Sequence, residues 1–302
     1  MVVAGLLALY AGAEGLVKGA SSLALRLGIT PLVVGLTVVA FGTSAPELLV
    51  SLIGTDDVAV GNILGSNVAN FALILGAAAL VRPVNIRSKA LQRDMPLMVA
   101  ATVLFVLLAI NGVLSRIDGA ILLVAMALYL GFNFYIAGRQ MADESDDLDA
   151  SDERHPMLSV VLAVVGIVGL VFGARWMVNG SIVIAEYIGV SQLVIGITVV
   201  ALGTSLPELA TSLVAAWRDE MDLSVGNVIG SNVFNLLLVL GVVAAIAPVA
   251  IDADALRIDL WVMVAVSILI WPLLRTGHTL GRVEGALLLV GYFVYMITLF
   301  VR

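Results

Sequence analysis

Residues 35–52 read GLTVVAFGTSAPELLVSL, and residues 196–213 read GITVVALGTSLPELATSL. The two windows agree at 13 of 18 positions. Each is followed by a second matching segment, GNILGSNVANFALILG at 61–76 and GNVIGSNVFNLLLVLG at 226–241, identical at 10 of 16 positions. Unrelated apolar segments share far fewer residues, so the chain is a duplication and has to fold as two copies of one unit. The offset is 161 residues for the first pair and 165 for the second, which leaves the first copy four residues shorter between its two segments.

The setting of these segments is apolar. With 61% hydrophobic and only 12% charged residues, and a mean hydropathy of +1.13, the chain falls in the polytopic membrane class. A bilayer-spanning helix needs roughly 20 mainly apolar residues. Runs of that kind are expected near 2–25, 31–54, 58–80, 96–112 and 118–137, and again near 157–185, 191–216, 223–248, 258–275 and 284–301. Five is odd, so the second copy enters the membrane from the opposite side. The expected fold is an all-α polytopic membrane protein, with ten transmembrane helices arranged as two inverted-topology repeats of five. Residues 1–137 form the first repeat, 138–156 an acidic linker, and 157–302 the second repeat. The first run starts at Met1 without a cationic leader and is read as a retained helix, not a signal peptide.

Loop cations set the orientation. One side collects Arg26, Arg82, Arg87, Lys89, Arg93, Arg139, Arg154, Arg218, Arg275 and Arg282, and the other only Arg116, Arg257 and Arg302. Both termini are therefore expected outside the cell and the linker in the cytoplasm. The net charge of -7 comes largely from DESDDLDASDE at 143–153, a solvated loop without calcium-loop spacing. Nothing in the chain is basic enough for nucleic acid. With no cysteine there is no disulfide, thiolate metal site or cysteine nucleophile.

The repeated sentence has the composition of an ion site. Thr43 and Glu47 share a helical face with Ser44 beside it, and Pro46 frees the carbonyl of Gly42 and favours a kink. Thr204, Ser205, Pro207, Glu208 and the carbonyl of Gly203 repeat the arrangement. Ser66 with Asn70, and Ser231 with Asn235, add hydroxyl and amide oxygens at i and i+4. An oxygen-only set without histidine, cysteine or thioether suits sodium and calcium. Each carboxylate alone at the midplane costs at least ~2.5 kcal/mol unless it is protonated or paired with a cation. Neither has a lysine or arginine one turn away on its own helix. The alternative is that these polar groups are helix-to-helix glue, a reading that does not require the glutamate to be duplicated with its proline and hydroxyls. Asn67 and Asn232 are expected to face elsewhere and act structurally. Gly61 with Gly65, and Gly226 with Gly230, have GxxxG spacing for close helix packing.

GTSAPE with GSNVAN, and GTSLPE with GSNVFN, resemble the alpha-repeats of the cation/calcium exchanger superfamily, above all its prokaryotic sodium/calcium exchanger branch. The resemblance covers both halves. It implies exchange of intracellular calcium for extracellular sodium by alternating access, with a midplane site on the second, third, seventh and eighth helices. By motif position Glu47 and Glu208 would bind calcium. Thr43, Ser44, Ser66, Thr204, Ser205 and Ser231, with the glutamates and main-chain oxygens near Ala40 and Ala201, would ligate sodium. The first and sixth helices would be the moving pair. Asn235 stands where some members carry an aspartate, so the site is more symmetric with one fewer potential charge, and the ion ratio and potassium dependence stay open. The proton/calcium branch typically has asparagine in place of the Thr-Ser pair, so retention of GTS in both halves argues for sodium coupling.

The remaining polar residues suggest less. Glu14 and Lys18 form an i,i+4 pair in the first helix. Arg175 aligns with Glu14 and either snorkels or meets an acid across the repeat. Asp56 and Asp57 read as a solvated loop, with an outer ion vestibule as the alternative. His155 and His278 stand singly in loops. No phosphate-binding loop or catalytic triad is present, so the chain is read as neither an enzyme nor an ATP-driven pump. The expected partners are the lipid bilayer of a prokaryotic cytoplasmic membrane and the transported ions calcium and sodium, with no cofactor. A monomer is compatible with the layout. Proton/calcium exchange is the alternative within the class, and a calcium-permeable channel the alternative outside it.

Overall fold

The structure, a computed structural model, describes residues 1–84, 89–143, 156–188, 201–275 and 279–301. These form helical rods, as apolar sequence must where lipid offers the backbone no hydrogen-bond partner. In chain order they are α1 Val2–Arg26, α2 Pro31–Ile53 and α3 Asp56–Val81, α4 Lys89–Ala109, α5 Arg116–Asp143 and α6 Pro156–Tyr187. Then come α7, described over Ala201–Thr204 and Leu206–Trp217, α8 Met221–Ile246, α9 Leu260–Arg275 and α10 Arg282–Val301. Among the described residues seven of these, all but α4, α7 and α9, are long and apolar enough to cross a membrane. The expected start of the seventh run at 191–200 lies outside the described residues, as do Arg87, Arg154, His155, His278 and Arg302.

Several boundaries differ from the sequence expectation. The run placed at 96–112 is a helix over Lys89–Ala109, and the chain turns after it through Gly112, which takes a left-handed conformation at φ +86. The helix expected to stop at 137 continues to Asp143, so residues 138–143 of the acidic linker are helical, while 144–155 lie outside the described residues. An all-helical reading also omits a small antiparallel pairing of β1 Val113–Leu114 with β2 Val249–Ala250 and a bridge between Val84 and Leu280. These short pairings hold loop ends together where the helices have stopped.

Packing divides the molecule into two bodies. A large core runs through α3, α4, α5, α8, α9 and α10, with Phe71, Phe105, Met98 and Leu236 fully buried. A smaller cluster joins α1 and α6 to parts of α2 and α7. The α1–α6 contact is backbone to backbone. A Cβ on Gly12 would stand 2.7 Å from the Leu170 amide nitrogen, and one on Gly166 2.5 Å from that of Leu16. Gly5 meets Met177 and Gly19 meets Ala163, so the two helices run antiparallel along their length. Outward-facing Leu7, Leu128, Val165, Leu287 and Val290 cover the exterior with apolar surface, as lipid contact requires.

Of the two GxxxG pairs, the second packs as expected. A Cβ on Gly226 would lie 2.6 Å from the Leu32 carbonyl, and one on Gly230 2.7 Å from that of Leu36. The corresponding neighbours of Gly61 and Gly65, by the 161-residue offset, fall at 193 and 197, outside the described residues.

Candidate ion site

Both glutamate-bearing helices are broken where the repeated sentence predicts. Residues Ala40–Thr43 and Ala45–Ile53 are helical, and between them Ser44 leaves helical geometry at φ -82, ψ 5. Ser205 does the same at φ -85, ψ 4 between Ala201–Thr204 and Leu206–Trp217. In each copy the proline then occupies the first turn of the resumed helix, where its missing N–H costs nothing. The break turns each serine, threonine and glutamate toward the other copy.

The resulting hydrogen bonds are exchanged between copies. Ser205 Oγ donates to Glu47 Oε1 at 3.3 Å, and Ser44 Oγ to Glu208 Oε1 at 3.2 Å. Ser205 also meets Ser66 at 3.1 Å, while Thr43 meets Ser231 at 3.4 Å. Thr43 lies 3.4 Å from the carbonyl of Ala40, and Ala201 opens its helical segment three residues before Thr204 as Ala40 does before Thr43. Asn70 Nδ2 donates to Asn232 Oδ1 at 2.8 Å, and Asn235 Nδ2 to Asn67 Oδ1 at 3.1 Å. Asn67 and Asn232 therefore do not face away, as expected, but hold the amides of Asn70 and Asn235 across the halves.

Burial is complete where it is most costly. Glu47 is 0% and Glu208 1% exposed, and among the described residues neither makes an ion pair. Glu47 Oε2, Glu208 Oε2, Asn70 Oδ1 and Asn235 Oδ1 are all buried with no hydrogen-bond partner among the described residues. Unmatched buried oxygens are expensive, and four of them, two from each copy, are an acceptor set for a cation. Among the described residues no group of three or more histidine, cysteine or acidic side chains forms a metal cluster, so such a set relies on neutral oxygens beside the two carboxylates.

Two further residues were not singled out from the sequence. Asn62 and Asn227 bind Thr204 and Thr43 of the opposite copy, each at 3.1 Å. The signal was present, since Asn62, Ser66 and Asn70 follow one another at i, i+4 and i+8 on one helix face. The π-helical turns Ala69–Leu75 and Phe234–Val239 begin just before Asn70 and Asn235. Such turns are frequent at functional sites, and no residue pattern announced them.

Outside the site, Glu14 pairs with Lys18 at 2.8 Å as expected and also with Arg218. Arg175 is exposed and makes no ion pair among the described residues. Asp56 accepts from the Ala250 amide at 3.0 Å, a loop-to-loop tie.

The family model described as Sodium/calcium exchanger protein matches residues 1–135 and 158–301. The inner membrane protein YrbG of Escherichia coli is 41% identical, with 99% of this chain and 96% of that protein covered. The sodium/calcium exchanger MaX1 of Methanosarcina acetivorans is 32% identical, with 99% and 97% covered. A solved structure of the sodium-calcium exchanger NCX_Mj superposes with a TM-score of 0.84 at 32% identity, covering 98% of this chain and 96% of that one.

Proposed function

The chain belongs to the sodium/calcium exchanger protein family, and from that premise we propose that it expels calcium in exchange for sodium by alternating access to a single midplane site. The observation that carries this reading is the reciprocal bonding of Ser205 to Glu47 and Ser44 to Glu208 around buried, unmatched oxygens. Glu47 and Glu208 neutralise one calcium ion. Thr43, Ser44, Ser66, Asn70, Thr204, Ser205, Ser231 and Asn235, with the carbonyls near Ala40 and Ala201, complete the oxygen shell for calcium or sodium. Calcium takes six to eight oxygens at roughly 2.3–2.6 Å, a number that two half-sites supply and one does not. The same carboxylates attract sodium once calcium has left, and competition for one site couples the two fluxes.

The ten-span inverted repeat, split as 1–137, 138–156 and 157–302, is part of the proposal. The antiparallel course of α1 and α6, which are corresponding helices of the two copies, supports it. So do the loop contacts. Val113–Leu114 pairs with Val249–Ala250, and Asp56 with Ala250, all on the side assigned to the termini. Val84 pairs with Leu280, and Arg82 with Asp219, on the side assigned to the linker. The cation bias then places both termini outside. The moving part is α1 with α6, whose apolar cluster is separate from the large core.

The test is calcium flux in liposomes of purified protein, with sodium, potassium and proton gradients imposed separately. Calcium movement that requires the sodium gradient is the expected result. Movement driven by a pH gradient without sodium makes the protein a proton/calcium exchanger, and flux that needs no counter-ion makes it a channel.

A further inference from the structure

Asn62 and Asn227 occupy equivalent places in the two copies and make the same three contacts. Asn227 Nδ2 lies 3.4 Å from the Glu208 carbonyl oxygen and 3.0 Å from Ser212 Oγ, and its Oδ1 lies 3.1 Å from Thr43 Oγ1. Asn62 Nδ2 lies 3.4 Å from the Glu47 carbonyl oxygen and 3.3 Å from Ser51 Oγ, and its Oδ1 lies 3.1 Å from Thr204 Oγ1. Each asparagine thus joins the main chain of its own copy's glutamate to the threonine of the other copy.

These contacts fix where the protons are. A peptide carbonyl only accepts, so the amide atom facing the Glu208 carbonyl is the nitrogen. The atom facing Thr43 is then the oxygen, which also only accepts, and the Thr43 hydroxyl has to donate to it. The same argument fixes Thr204 against Asn62. A threonine hydroxyl has one proton and two lone pairs. Once the proton is committed to the asparagine, the hydroxyl has only lone pairs left to offer its other neighbours.

We propose that Asn62 and Asn227 are positioning residues that take up the hydroxyl protons of Thr204 and Thr43 and so make both threonines acceptor-only ligands for a cation. The inference rests on the assignment of the two threonines to the ion site. A cation is repelled by the proton of a hydroxyl and attracted by its lone pairs. Without the asparagine, the Thr43 hydroxyl is free to turn its proton among its other neighbours, the Ala40 carbonyl and Ser231 Oγ, each 3.4 Å away. The proton is then no longer held away from the ion, and the ion loses a fixed acceptor ligand. The asparagines do not touch the ion; they act through the threonines.

The test is equilibrium binding of sodium and of calcium to detergent-purified protein, which does not depend on turnover. Asn227→Ala and Asn62→Ala are each expected to weaken sodium binding roughly tenfold, the worth of about one well-placed hydrogen bond. Asn227→Asp keeps an acceptor for the Thr43 proton, loses both amide donors and adds a negative charge beside the site, so it is expected to bind sodium at least as tightly as the native chain. A loss in Asn227→Asp as large as that in Asn227→Ala overturns the proposal, because the clamp on the Glu208 carbonyl is then what matters. Thr43→Val removes the hydroxyl itself, and on that background Asn227→Ala is expected to add no further loss of affinity. Losses that multiply in the double variant also overturn the proposal. Should Thr43→Val alone leave sodium and calcium binding intact, the assignment of Thr43 as a ligand fails, a result distinct from either of these. Asn62 with Thr204 supplies the same set independently if an Asn227 variant does not fold.

Discussion

Ser205 holds Glu47 through a hydroxyl at 3.3 Å, so the carboxylate of the first copy is oriented by the second. Ser44 does the same for Glu208. In a site built by such exchange, neither copy has a complete half of its own. Glu47→Gln and Glu208→Gln are each expected to abolish sodium-driven calcium flux, by at least about 100-fold, since a divalent ion then faces one buried charge instead of two. Liposome uptake measures it. Normal flux in either variant removes that residue from the ion site.

Ion binding also has a signature in stability. A ligand that binds only the folded state at 100 times its Kd stabilises that state by about 2.7 kcal/mol. Calcium is therefore expected to raise the Tm of the detergent-purified protein. Glu208→Gln should lose that response while remaining at least as stable in ion-free buffer, because a buried carboxylate with no paired cation is replaced by a neutral amide. A calcium-dependent rise in Tm that survives in Glu208→Gln and Glu47→Gln places the stabilising ion elsewhere.

What could be read from the sequence was what duplication doubles. Glu47, Thr43 and Ser44 stood out because Glu208, Thr204 and Ser205 repeat them in a setting where charge is costly, and Pro46 announced the break that the backbone makes at Ser44. An odd number of runs implies opposite courses for corresponding helices, but that α1 and α6 touch each other along their length is visible only in the structure. The direction in which each side chain turns was not legible. Helical periodicity places Thr43 and Glu47 on one face, but whether a hydroxyl serves its own helix or the opposite copy depends on how the broken helices cross. Asn67 and Asn232 accept from the amides of Asn235 and Asn70 of the opposite copy, contacts that no spacing within one helix specifies. The pairing of β1 with β2 depends on loops far apart in the chain, Val113 with Ala250, and no local pattern specifies it.

The glycine contact between α1 and α6 gives a separate prediction. A Cβ at residue 166 would meet the Leu16 nitrogen at 2.5 Å, and backbone cannot step aside as a side-chain tip can. Gly166→Val is expected to lower Tm by at least about 5 °C through overpacking. Gly131→Ala, on an exposed stretch of α5 with no described atom near the added carbon, is expected to be neutral or slightly stabilising. Equal effects of the two changes would mean that α1 and α6 are not in close contact in the membrane.

Arg218 follows α7 at the point where the second copy is four residues longer than the first. Its Nε donates to Glu14 of α1 at 2.7 Å, and the next residue, Asp219, pairs with Arg82 at 2.7 Å. The first of these contacts joins the α1–α6 pair to α7, and Tyr10 against Trp217 lies on the same interface. If α1 and α6 slide over the rest of the molecule during exchange, the Glu14–Arg218 contact has to break in each cycle. The native chain has no cysteine, so a Glu14→Cys/Arg218→Cys pair is the only thiol pair present. Cross-linking of that variant with a short bifunctional methanethiosulfonate reagent, which spans the reach the two native side chains had, is expected to reduce sodium-driven calcium flux to below about a tenth of its untreated value, and a reductant should restore it. Full flux with the cross-link formed would show that α1 does not move relative to α7, and the moving elements would then have to be sought among the other helices.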